Sequence, residues 1–95
     1  MKLPRRLEMT VTREEFLRLL PAAVGGSTFV EESGAFVHRE PDRVWRVGFT
    51  RLPELRIGLV RLARHCVEFE FGGYSEDEID AFLARFELYF RRGGG

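Results

Sequence analysis

Three side chains in this sequence are strong metal ligands or nucleophiles: His38, His65 and Cys66. A metal centre needs three or four ligands in a defined geometry, and neighbours on a strand point to opposite faces, so His65 and Cys66 cannot chelate together. His38 with Cys66 across strands, joined by Glu68, is the one set that spacing leaves open. A surface histidine and a half-buried thiol account for the same residues more simply, so no metal is expected. Nothing near Cys66 marks an activated thiolate, which would require an electropositive, partly exposed setting. Glu68 and Glu70 fall on one strand face about 6–7 Å apart, a spacing that a carboxylate pair could use. Without a cleft to raise one of their pKa values they read as partners for arginine. Ser75 sits where a helix cap is needed, and Gly25-Gly26 and Gly72-Gly73 lack the spacing of a phosphate-binding loop. No catalytic residue and no cofactor are therefore expected.

Charge is the next candidate for function. Fifteen basic residues balance fifteen acidic ones, so no global field draws the chain to nucleic acid or an anionic membrane. All the basic residues except Lys2 are arginine, whose planar fork suits carboxylate or phosphate. A GC-rich bacterial genome produces the same bias. The distribution is uneven: residues 39–65 hold seven arginines against three acids, and residues 66–90 hold seven acids against one arginine. A basic strand region containing Trp45 and Phe49 invites comparison with sheets that stack single-stranded bases, with Arg46, Arg56 and Arg61 as its cations. Against this, both rings share a side with Val47, the expected core side, and Glu68 and Glu70 share the face of Arg46 and Arg56.

These side chains must be placed by short elements. Residues 6–11 alternate, with Leu7, Met9 and Val11 on one side, as a half-buried strand does. Thr12 three residues ahead of Glu15 starts a helix with Phe16, Leu19, Leu20 and Ala23 on one face, and Pro21 is expected to end or kink it near Leu20. Residues 29–31 and 35–39 form a hairpin around Ser33-Gly34, and residues 44–50 follow the Pro41-Asp42 turn. Pro53 is expected to interrupt before another strand over 55–60, in which Leu55, Ile57 and Leu59 oppose Arg56, Gly58 and Val60. Residues 60–63 fit a helical turn as well as a strand. Residues 66–71 alternate cleanly, with Val67, Phe69 and Phe71 inward. Ser75-Glu76-Asp77-Glu78 is a capping box with three acids in the first turn, and Ile79, Phe82, Leu83, Phe86, Tyr89 and Phe90 follow at helical spacing.

The expected architecture is α+β in two layers, in the order β-α-β-β-β-β-α, with an antiparallel sheet of four to five strands and both helices on one face. Ninety-five residues suit a single domain, 1–95, with 93–95 as a flexible glycine tail. Arg92-Gly93-Gly94-Gly95 resembles the ends of ubiquitin-like sulfur carriers, yet the segment before it has the periodicity of a helix instead of a strand. With no long apolar run and one cysteine, a cytoplasmic protein held together by packing is expected. Phe82, Phe86, Phe90, Val67, Phe69 and Trp45 should form the centre of the core. The other sheet face is left uncovered, with Val44, Arg46, Arg56, Val60, Glu68 and Glu70 as its candidate contact residues. The functional expectation is a small non-catalytic interaction module that docks a protein partner or a second copy through that face. Binding of single-stranded nucleic acid by the arginine-bearing face is the alternative.

Overall fold

The computed structural model describes residues 5–93. The elements are β1 (Arg6–Met9), α1 (Arg13–Ala23), β2 (Val30–Glu32), β3 (Ala35–Arg39), β4 (Val44–Ile57), β5 (Val60–Gly72) and α2 (Glu76–Gly93). The strands form one antiparallel sheet in the order β1-β5-β4-β3-β2, in agreement with the expected two-layer α+β fold. Gly93 closes α2 and so belongs to the helix, while Gly94 and Gly95 lie outside the described residues.

The helices form where their caps are. Thr12 Oγ1 accepts from the Glu15 backbone N–H at 3.1 Å, starting α1. At α2 the capping box is complete: Glu78 N–H donates to Ser75 Oγ at 3.2 Å, and Ser75 N–H donates to Glu78 Oε1 at 2.9 Å. Pro21 lies inside α1, which runs on to Ala23 and so does not end near Leu20. The turn beyond it is closed by Gly26 N–H donating to Pro21 O at 2.9 Å and Gly25 N–H to Ala22 O at 3.1 Å. This double closure, with Gly25 at φ +72°, satisfies two carbonyls of the last turn. Arg85 of α2 adds a third donor, to Ala22 O at 2.9 Å.

The core lies between the helices and one face of the sheet. Trp45, Val47 and Phe49 of β4 face that way with Val67 and Phe69 of β5, as alternation requires. Its centre is Phe16 from α1, fully buried, with ring centroids 4.1 Å from Phe49, 5.0 Å from Phe90 and 6.2 Å from Phe86. Phe82, expected at the centre, is half-buried at the rim, 5.1 Å from Phe71 and 5.4 Å from Trp45.

The largest departure from the sequence reading concerns residues 51–64. Pro53 does not divide two strands; β4 runs through it. The register passes from Leu52↔Arg64 to Leu55↔Leu62, so Pro53 and Glu54 together oppose Ala63 in a β-bulge. A bulge tolerates a residue without an N–H, which is why proline can sit inside this strand. Residues 60–63, which also fitted a helical turn, are strand. Ile57 and Val60 close the hairpin over Gly58 and Leu59, with Gly58 at φ +59° as a type II′ turn wants. β1 reaches only His65 to Glu68, and β3 only Val44 to Gly48, so the β4–β5 hairpin continues past both as a two-stranded arm. The longest dimension of the molecule is 48 Å.

Candidate functional site

The bulge decides which side chains share a face. One extra residue in β4 reverses its alternation, so Arg56 stands opposite Arg61 on the helix side of the arm, and Ile57 stands opposite Val60 on the open side. The expected grouping of Arg56 with Val60 on one face is therefore corrected: they lie on opposite faces. Leu52, Leu55, Ile57, Val60 and Leu62 now form an apolar strip on the open side of the arm, with Arg64 opposite Leu52 at its base. Ile57 is 60% exposed, Val60 54%, and Leu59 at the tip is fully exposed.

The rest of the open face is covered by charge. Arg46 Nη1 donates to Glu70 Oε1 at 3.0 Å across the β4–β5 pair, and Arg39 grips Glu32 with both guanidinium ends at 2.5 and 2.8 Å. That contact holds the Glu32 carboxyl below the usual range. Val44, Arg46 and Glu70 surround a shallow hollow of about 240 Å³, so these three predicted residues come together. Glu68 stands beside them opposite Gly48 and Arg6. Arg56 and Val60 lie a dozen residues up the hairpin and do not join them. Leu52 and Leu62 of the strip were missed by the sequence reading, and Leu55 and Ile57, expected on the side opposite Val60, share its face. The signal was Leu52-Pro53-Glu54-Leu55, a strand with an internal proline and two leucines three apart, which share a face only if a residue bulges out.

The chemically capable residues are each occupied. His65 is buried, stacked 4.0 Å from the Phe49 ring, and its Nδ1 donates to Val11 O at 2.7 Å. His38 stands on the core side opposite Trp45, with Nδ1 2.6 Å from Thr28 O and Nε2 2.9 Å from Glu40 Oε2. Cys66 is on the other face, opposite Thr50, so the His38–Cys66 set is not assembled. Arg6 Nε lies 3.3 Å from Cys66 Sγ, and this contact raises the arginine pKa. The Glu40 carboxyl is held low by His38 and then by Arg43, whose Nη1 continues to Glu78 at 3.0 Å. The Glu78 carboxyl is held low by the Ser75 backbone N–H it accepts, then by the Ser75 hydroxyl and Arg43. These contacts tie the β3–β4 turn to the start of α2.

A second hollow, of about 420 Å³, lies between β1 and the end of α2 and is lined by Leu7, Met9, Val11, Phe86 and Phe90. Its acids are already paired, Glu8 with Arg64 at 3.8 Å and Glu87 with Arg91, which lines the same hollow. Among the described residues no three of His, Cys, Asp and Glu cluster as metal ligands. No helix among them is long and apolar enough to cross a membrane.

The chain is thus a two-layer α+β protein with one projecting hairpin. Comparison with protein-family models, curated proteins and solved structures finds no match.

Proposed function

We propose that the chain is a non-catalytic interaction module that pairs with a second copy of itself through the open face of the arm. The observation that carries this reading is the apolar strip of Leu52, Leu55, Ile57, Val60 and Leu62, on a face that neither helix covers. Stacked sheets sit about 10 Å apart, and two such strips face to face would bury each other's apolar surface. A two-fold contact uses the same patch on both copies, so the apolar stretch of Leu55, Ile57, Val60 and Leu62 can face its own copy.

The contact is small. Six residues of strand rise about 20 Å, and two strands give a strip about 10 Å wide, well under the roughly 800 Å² per partner of a stable interface. The pairing should therefore be concentration-dependent. Sedimentation velocity across the micromolar range tests it: wild type should shift from monomer to dimer, and Ile57→Glu with Val60→Glu should stay monomeric with an unchanged circular dichroism spectrum. A wild type that remains monomeric throughout would overturn the reading. The alternative, base stacking on the open sheet face, has less support, because that face carries no aromatic ring on the described strands and Arg46 is held by Glu70.

A further inference from the structure

Among the described residues, Arg51, Arg56 and Arg61 are the cations of the sheet for which the fold provides no partner; Arg18 of α1 is a fourth. The three of the sheet are exposed, and none forms a hydrogen bond, ion pair or ring contact within the described residues. Arg51 lies opposite His65 and Arg56 opposite Arg61, which places the three on the helix side of the arm, away from the apolar strip. Every other arginine of the sheet is engaged: Arg6 with Cys66, Arg39 with Glu32, Arg46 with Glu70 and Arg64 with Glu8. Glu15 borders the same hollow as Arg61, and its Oε1 is in contact with Thr12 Oγ1.

We infer that this arginine face binds the phosphate backbone of duplex nucleic acid. Two arginines directly opposite each other repel, and a polyanion laid across them removes that repulsion while gaining charge-assisted hydrogen bonds. A two-stranded ribbon is an element that the major groove of DNA, about 12 Å wide, admits. The zero net charge of the chain does not cancel this field. The acid-rich start of α2 lies about 40 Å from Arg56, by twelve residues of strand rise, against a screening length of about 8 Å in physiological salt. The arm itself carries four arginines against the single acid Glu54.

The test is fluorescence anisotropy with a labelled mixed-sequence DNA duplex at two salt concentrations. Three phosphate contacts predict binding that weakens roughly 40-fold when salt rises fourfold. Arg56→Gln with Arg61→Gln should bind more weakly and reduce that factor to roughly 4, since one contact remains. The double variant removes a like-charge pair and so should fold at least as well as wild type, which a melting curve checks. Ile57→Ser with Val60→Ser keeps every arginine and separates this inference from the pairing of copies: duplex affinity should persist even where the dimer is lost. Absence of salt-dependent duplex binding, or affinity unaltered by the arginine changes, would overturn it. So would polyglutamate binding more tightly than the duplex at equal salt, because the face would then be one for an acidic protein segment.

Discussion

Arg56 and Arg61 are cross-strand partners on the β4–β5 arm, two like charges held opposite one another by the register that the Leu52/Leu55 bulge sets. Such a pair destabilises a hairpin, and an opposite-charge pair in its place contributes about 0.2–1 kcal/mol. Arg61→Glu should therefore stabilise the protein by about that amount, read as a higher urea midpoint with an unchanged slope. A lower midpoint would contradict the register, because in the unbulged reading Arg56 faces the other way.

Phe16 should be the most costly ring to truncate. It is fully buried and touches Phe49, Phe90 and Phe36, so Phe16→Ala should lose about 3–5 kcal/mol. Leu88, half exposed on α2, is the control, and Leu88→Ala should stay within about 0.5 kcal/mol of wild type. Equal losses at the two positions would contradict the packing described here.

Gly34 and Gly73 share a φ of +79° but differ in the space around them. A Cβ on Gly34 meets nothing within 4 Å, whereas on Gly73 it would lie 2.2 Å from Asp42 O. Gly34→Ala should then cost only the strain of a left-handed residue, about 1–2 kcal/mol. Gly73→Ala must also displace the β3–β4 turn and should cost clearly more. Thermal melts of the two variants measure the difference, and an equal cost would mean that the turn yields freely.

Acid should unfold the protein partly through Glu32, Glu40 and Glu78. Their carboxyls are held low by Arg39, by His38 and by the Ser75 cap respectively. A depressed folded pKa stabilises above the unfolded value of about 4.3 and loses that stabilisation as pH falls through the folded value. Urea midpoints should fall as pH drops below about 4.3, and less steeply in Glu40→Gln, which has one such group fewer. An identical pH profile in that variant would remove Glu40 from the explanation.

The local signals in the chain were enough for much of this fold. Thr12 and Ser75 each stand three residues ahead of a glutamate, and both start the helices that such spacing predicts, because a cap is satisfied within four residues. Alternation over 66–71 and the Ser33-Gly34 turn likewise placed strands correctly, since each depends only on neighbours in sequence. What the chain could not state locally was anything set by pairing between distant segments. Pro21 and Pro53 both look like ends of elements, and both are interior, because Gly25 and Gly26 close the helix beyond one and a bulge against Ala63 absorbs the other.

The same division separates the two halves of the candidate surface. Val44, Arg46, Glu68 and Glu70 were placed on one face by period-two alternation alone, and the sheet keeps them there. Val60, on the unbulged β5, also stays on that face, whereas Arg56 does not, because one extra residue opposite Ala63 reverses the β4 side chains beyond it. Sequence determined which residues could line a face; only the tertiary register decided that leucine, isoleucine and valine share one side of the arm and unpaired arginines the other. The reason is physical: alternation fixes facing only within an unbroken strand, and the position of the break is set by the strand across from it.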